Sequence, residues 1–393
     1  MAFIVLKFGG TSLADIAKIE AVSLQIKREI EFGNRVLVVV SAMAGVTNQL
    51  VGFVSGITSY FDPVEYDAVV AAGEQITAGL LAIALQKYDV PARSWQAWQA
   101  GIMAQGRPMC GEIYKVNQSL LLVDIEKGCV PIVTGFQAIS LEQRVMTLGR
   151  GGSDTSAVML AAQLGAERCD IYTDVDGIYS ADPKWVPQAR KHDVISYEDV
   201  LEMASVGAKV LQVRSVVAAM GQDVPLRVLS TFMDQPGTMI VHQDKIIDQK
   251  PFSGVVVSKN EVMVKISGQI STVSLMKEIG SLGLTIDMVS IQSNYLVFLL
   301  QDTEALRVKY ELERKAEMMG ISKIEFLKDI VKVSVIGLGI RSNQDFLSIF
   351  FESIGQVTSN ILSFMATENR ASVVVPTLNG EAVVLALHEN LGL

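Results

Sequence analysis

Through the first 240 residues, short Val- and Ile-rich runs alternate with stretches whose apolar residues recur at helical spacing, and this alternation restricts the fold more than any other feature. Phe3-Ile4-Val5-Leu6 reads as a buried strand that ends at Gly9-Gly10. Ile16, Ile19, Val22, Ile26 and Ile30 then follow one helical face, with Ser12 and Asp15 spaced for a capping box. Val36 to Val40 is the next strand, so the chain opens with a β-α-β unit. The pattern returns with a strand at Pro131 to Thr134, a helix at Ala157 to Leu164 and a strand at Ile171 to Thr173. The expectation is an α/β fold, a mostly parallel sheet covered by helices on both faces.

Near residue 242 the character changes. His242 to Lys250 (HQDKIIDQK) is polar and aperiodic, as a linker would be. Beyond it, a strand at Val262–Ser267 ends at Gly268, a helix reaches about Gly280, and Thr285–Ile291 reads as a strand. A strand at Val331–Ile336 ends at Gly337, with a helix to about Ile354 and a strand near Ile361. The glycines Gly268/Gly337 and Gly283/Gly355 mark a weak internal repeat. The expected organisation is a large domain over 1–242, a linker over 243–252, and a tandem pair of small β-α-β-type domains over 253–328 and 329–393.

Composition narrows the chemistry. With 33 basic against 42 acidic residues the formal charge is −9, and no basic run offers a nucleic-acid or anionic-membrane surface. Cys110, Cys129 and Cys169 include no C-x-x-C pair, which fits a reducing compartment and argues against a disulfide scaffold or structural zinc. None of His192, His242 and His388 has a metal-ligand partner at helical spacing. A membrane span needs about 20 apolar residues in a row; Val36–Val46 is about half that, and Ala68–Leu85 is interrupted by Glu74. The first residues lack the basic start and long apolar core of a signal peptide, so a cytoplasmic protein is expected.

Several motifs could carry chemistry. Lys7-Phe8-Gly9-Gly10-Thr11-Ser12 leaves the first strand and opens a helix, where backbone N–H groups can approach a phosphate and Lys7 can aim at the same place. No G-K-[ST] exists, so it is not a Walker A loop. Leu148-Gly149-Arg150-Gly151-Gly152-Ser153-Asp154-Thr155-Ser156 gathers donors at another helix start, with Arg150 suited to a carboxylate or phosphate. Asp154 beside that anion site calls for a lysine or a metal. Thr173-Asp174-Val175-Asp176-Gly177-Ile178-Tyr179, followed by Asp182-Pro183-Lys184, lacks the closing Glu of a calcium loop and suits nucleotide binding at strand ends. Glu74 interrupts an apolar helix start, where it must be paired; a substrate ammonium or an internal salt bridge would serve. Gly337-Leu338-Gly339 is no dinucleotide fingerprint, because Ser342 takes the third glycine's place. Together these residues suggest phosphoryl transfer without a general base, since a carboxylate acceptor is already ionised at neutral pH.

KFGGTS, SAMAGVTN, AAGE, TLGRGGSDTSA, TDVDGIYSADPK and GAKVLQVRS occur in the order found in aspartate kinases, and the chain resembles that family over its whole length. The resemblance implies an amino acid kinase fold followed by two ACT-like βαββαβ regulatory domains. It implies ATP-dependent phosphorylation of the L-aspartate side-chain carboxylate to 4-phospho-L-aspartate, the first step toward lysine, threonine, methionine and diaminopimelate, with Mg2+ arriving on ATP. Residue by residue, it makes Lys7 the cation for the transferring phosphoryl group and Asp154 the catalytic aspartate that orients Lys7. Ser41, Thr47, Glu74, Arg150 and Ser153 fall at aspartate-binding positions, Glu74 toward the α-amino group and Arg150 toward the α-carboxylate. Phe8, Gly9, Gly10, Thr173, Asp174, Tyr179, Lys184, Lys209 and Val210 fall at nucleotide-binding positions.

In the tail, Asp287-Met288 and Asn360-Ile361 match the family's effector positions, whereas Gly268-Gln269-Ile270-Ser271-Thr272 lacks the proline of the usual ACT turn. Feedback by lysine or threonine and a homo-oligomer joined through the ACT pair are implied. Two competing readings are a kinase of the same superfold acting on glutamate or acetylglutamate, and a non-catalytic amino-acid sensor. The length leaves no room for an attached dehydrogenase.

Overall fold

A computed structural model describes residues 2–208, 210–247 and 250–393. Two units divide them: the first holds 2–178, 191–204 and 210–247, the second 179–190, 205–208 and 250–393.

The first unit begins with β1 (Phe3–Phe8), α1 (Ile16–Glu31) and β2 (Arg35–Val40). Three helices follow, α2 (Val46–Ile57), α3 (Pro63–Val70) and α4 (Ala72–Lys87). Then come β3 (Ala92–Trp95), β4 (Ile102–Arg107), β5 (Cys110–Val116), α5 (Gln118–Glu126) and β6 (Val130–Thr134). The short strands β7 (Gln137–Ile139) and β8 (Val145–Thr147) lead into α6 (Gly152–Leu164) and β9 (Arg168–Thr173). β10 (Val194–Ser196), α7 (Tyr197–Ser205), α8 (Val213–Gly221), β11 (Leu226–Ser230) and β12 (Thr238–Val241) complete the series.

Eight strands form one sheet in the order β10-β12-β11-β9-β1-β2-β6-β3, parallel throughout except for the β11/β12 pair. Ile4, Leu6 and Phe8 of β1 enter a core with Ile19, Val22 and Ile26 of α1 and Leu81 and Leu85 of α4. Successive strand residues point to opposite faces, so Val5 and Lys7 face the other side, where α6 lies against β1, β2 and β9. The expected α/β sheet with helices on both faces is what the first unit contains. A second sheet, β5-β4-β7-β8, stands beside it.

Two local expectations need correcting. The chain makes a 3-10 turn at Gly10–Leu13 after β1, so α1 starts later than a Ser12 cap would require. Asp15 is itself the cap and accepts from Lys18 N (2.9 Å), while Ser12 is buried with its Oγ 2.6 Å from Thr231 Oγ1. The apolar stretch Pro63–Lys87 has the length and hydropathy of a membrane span, yet Ala71 divides it into α3 and α4 and 56% of its apolar window is buried.

The second unit carries β13 (Phe252–Gly268), α9 (Thr272–Ser281), β14 (Asp287–Ile291), β15 (Tyr295–Gln301) and α10 (Asp302–Arg314). β16 (Ile321–Gly337), α11 (Phe346–Gly355), β17 (Ser363–Ala366), β18 (Arg370–Pro376) and α12 (Thr377–Asn390) follow. The order is β14-β15-β13-β16-β18-β17, antiparallel throughout. Here a boundary at 328/329 does not hold, because those residues lie inside β16. β13 and β16, 17 residues each, run through both halves of the repeat. The later part of β13 and the earlier part of β16 join β14, β15, α9 and α10 around Val264, Ile266, Leu275 and Phe298. The earlier part of β13 and the later part of β16 join β17, β18, α11 and α12 around Val333, Phe346, Phe350 and Val373. Where the halves meet, Asn260 (φ +60°) and Asp329 (φ +58°) interrupt the ladder, separated by 69 residues like Gly268 and Gly337. Ala181 and Val186, from the segment 179–190, are buried in the core of the later half.

Candidate active site

β1 lies mid-sheet between β9 and β2, and its carboxyl end opens onto a cavity of about 330 Å³. Ligands commonly bind open α/β sheets at this edge. Lys7, Gly10 and Ser41 line it from the β1 and β2 ends and Thr47 from the start of α2; Glu74 lines it from α4, Arg150 from the loop before α6, and Ser153 and Asp154 from α6. All eight are sequence-predicted positions. No histidine lines it.

The Lys7 Nζ stands 2.5 Å from Asp154 Oδ1, and both residues are buried. Alternation on β1 points Lys7 at α6, and Asp154 lies in that helix's first turn. The turn is reached through Gly149 and Gly151, both at φ +74°, a left-handed conformation that β-carbon-bearing residues seldom adopt. The N-terminus of α6 thus presents its positive end to the cavity. At Gly10 a Cβ would stand 2.8 Å from Ala42 O, so only glycine lets the β1 and β2 loops approach this closely.

Glu74, 3% exposed, sits in the first turn of α4. Its Oε1 accepts from Ala42 N (3.0 Å), while Oε2 has no hydrogen-bond partner among the described residues. Burial pushes its carboxyl up to about 7, and the Ala42 N–H offsets only part of that rise. A buried carboxylate oxygen lacking a donor, beside a cavity, matches a ligand ammonium. Arg150 is exposed, and its guanidinium has no protein partner among the described residues.

Other predicted positions lie elsewhere. Phe8 is buried with its ring stacked on Tyr172 (4.6 Å between centroids) and its carbonyl accepting from Ser41 N (3.1 Å), while Gly9 N donates to Tyr172 O (3.2 Å). Thr173 and Asp174, at the end of β9, are outside the cavity, with Thr173 Oγ1 donating to Asp174 Oδ1 (3.1 Å). Val210 is half-buried ahead of α8 and also outside it. Tyr179 and Lys184 belong to the second unit. Lys209 lies outside the described residues.

The effector positions all fall in the second unit. Asp287 Oδ2 lies 2.7 Å from Lys332 Nζ, which also pairs with Glu261 Oε1 (2.9 Å), and Arg370 Nη2 is 3.6 Å from Asp287 Oδ1. Burial would raise the Asp287 carboxyl, but the Lys332 hydrogen bond and the Lys332 and Arg370 charges hold it below its usual value. Met288 is buried in a small cluster that Met365 and Leu362 pack against. Asn360 is exposed and Ile361 packs on the core of the later half.

Residues 2–230 match the Amino acid kinase family. An aspartate kinase of Pseudomonas putida is 38% identical over 398 residues, covering 99% of this chain and 97% of the relative. An aspartokinase of Mycobacterium tuberculosis is 36% identical over 408 residues, covering 100% and 97%. The chain belongs to the aspartate kinases of the amino acid kinase family. Among solved structures, E. coli aspartokinase III in complex with aspartate and ADP shares the fold over 100% of both chains, with a TM-score of 0.82 at 23% identity.

Within this family member, sequence reasoning missed Asp67 and Arg214. Asp67 is fully buried on α3 and accepts from Thr147 Oγ1 at 2.6 Å. The segment Val64–Val70 carries two acids, Glu65 and Asp67, and nothing in its sequence marks Asp67 as the buried one. Arg214 lay inside the quoted GAKVLQVRS motif without a role of its own.

Proposed function

We propose that the cavity binds L-aspartate and the terminal phosphate of ATP and transfers the phosphoryl group to the side-chain carboxylate, giving 4-phospho-L-aspartate and ADP. The observation that carries this reading is the pairing, in one cavity, of a buried Lys7–Asp154 couple with a buried Glu74 oxygen that lacks a donor. Glu74 takes the α-ammonium and Arg150 the α-carboxylate, which leaves the side chain facing Lys7. The acceptor carboxylate is ionised at neutral pH, so no base has to remove a proton. The residues therefore act by positioning and by neutralising charge on the transferring group, with Asp154 fixing the Lys7 ammonium. Thr173, Asp174, Tyr179, Lys184, Lys209 and Val210 are proposed nucleotide contacts.

Among the described residues no group of three acidic, His or Cys side chains could hold a metal ion. Mg2+ would arrive on ATP, held mainly by the phosphates and water, and would neutralise phosphate charge when bound. The reading extends to a cytoplasmic homo-oligomer joined through the second unit, at the first step of lysine, threonine, methionine and diaminopimelate synthesis. It includes feedback at Asp287, Met288, Asn360 and Ile361, with lysine as the first effector to test; E. coli aspartokinase III has been solved in complex with lysine and aspartate.

The test is ADP release with L-aspartate, trapping the acyl phosphate as a hydroxamate. Turnover with aspartate is expected to exceed that with glutamate, and Lys7→Ala is expected to lower kcat by about 100-fold or more in protein shown still to be folded by circular dichroism. ATP binding without hydroxamate from aspartate would sink the proposal.

A further inference from the structure

Two residues distant in sequence hold the loop that carries Arg150. Asp67 accepts from Met109 N (2.9 Å), from Thr147 N (2.9 Å) and from the Thr147 hydroxyl (2.6 Å). Arg214, in the first turn of α8, donates from Nη1 to Leu148 O (2.6 Å) and from Nη2 to Gly111 O (3.1 Å). Each joins the same two pieces of backbone, the start of the β5 hairpin arm at 109–111 and the end of β8 at 147–148. The carboxylate offers only acceptors and takes N–H groups; the guanidinium offers only donors and takes carbonyls. The backbone polarity of both pieces is thus satisfied from opposite signs.

Gly149-Arg150-Gly151 leaves the clamped strand immediately after Leu148. A Cβ on Gly149 would stand 3.0 Å from Met109 O and 3.5 Å from Arg214 Nη1, so the loop starts flush against the clamp. Because the Arg150 guanidinium has no protein partner of its own among the described residues, its direction depends on where this backbone is held.

We propose that Asp67 and Arg214 are positioning residues that aim Arg150 into the cavity and thereby set how tightly an amino-acid acceptor is bound. This rests on the reading of Arg150 as the partner of the acceptor's α-carboxylate. Steady-state kinetics of the full chain test it in a double-mutant cycle of Arg150→Ala and Arg214→Ala. Arg214→Ala should raise the aspartate KM about 10- to 100-fold and leave the ATP KM within about twofold. In the Arg150→Ala background, where no guanidinium remains to be aimed, adding Arg214→Ala should change the aspartate KM by less than about twofold. Asp67→Ala, which removes the acceptor of both N–H groups, should show the same dependence on Arg150.

Arg214→Lys, which keeps the charge but loses the two-pronged geometry, should recover only part of the loss. If Arg214→Ala fails to fold, Arg214→Lys and Arg214→Gln carry the cycle. Additive KM effects, an equal rise in the ATP KM, or an unchanged aspartate KM in Arg214→Ala would each overturn the proposal. An unchanged aspartate KM in Arg150→Ala alone would instead overturn the underlying reading of Arg150, and the aiming role with it.

Discussion

Binding of aspartate to this site should expel a proton from Glu74. In the ligand-free cavity burial raises the carboxyl from 4.5 to about 7, and one oxygen has no donor. Keeping Glu74 ionised there costs about 3–4 kcal/mol relative to an exposed carboxylate, at about 1.4 kcal/mol for each tenfold change in ionisation. An ammonium at the unpartnered oxygen supplies the missing charge and lowers the pKa in the complex. A group protonated when free and ionised when bound gives up its proton, and more of it at lower pH. With a free-site pKa of about 7, about 0.9 proton leaves per site at pH 6, about 0.5 at pH 7 and about 0.1 at pH 8. Only the ionised fraction is competent, so the apparent Kd should weaken about tenfold between pH 8 and pH 6. Titration calorimetry in two buffers of different ionisation heat reads the proton count from the change in apparent enthalpy. Glu74→Gln should abolish the buffer dependence. A binding enthalpy that ignores the buffer at pH 6 in the unaltered protein would refute the reasoning.

Gly151→Ala should lower stability by about 1–3 kcal/mol, because Gly151 holds φ +74° and the new methyl would stand 2.5 Å from Gln212 Cβ and Cγ; an unchanged thermal melt would contradict that placement. Asp287→Ala should abolish inhibition by lysine while leaving uninhibited turnover near its starting value, measured as ADP release with and without the amino acid. Persisting inhibition would remove Asp287 from the effector site.

What could be read from the chain beforehand was local. Lys7, Gly10, Arg150 and Asp154 announced themselves because strand end, glycine and helix start are neighbours in sequence, and the chemistry of a helix N-terminus needs nothing more remote. The Glu74 anomaly was visible as a charge in an apolar run. Its raised pKa was not, because the burial that causes it is a fact of three-dimensional packing. Asp67 and Arg214 escaped notice for the same reason: their partners at Thr147 and Leu148 lie 80 and 66 residues away. The repeat in the tail was legible as a 69-residue echo, but its interleaving was not. Periodicity within Val262–Ser267 or Val331–Ile336 cannot show that each strand continues into the other half. Asp287 matched a family pattern, yet only the fold reveals that Lys332 already occupies its carboxylate.

The long strands also dictate a schedule for synthesis. Gly268 pairs with Ile321, whereas Phe252 must wait for Gly337 at the far end of β16. As the chain emerges, the inner half can therefore close while the early part of β13 still stretches out as an unpaired edge. That edge is Val-rich (Val255-Val256-Val257), the kind of segment that invites stray strand pairing. Its ladder is completed only when the last residues of β16 arrive, so the pairing of these two strands proceeds from its centre outward, and a ribosome stalled near residue 330 would leave that Val-rich stretch without its strand partner.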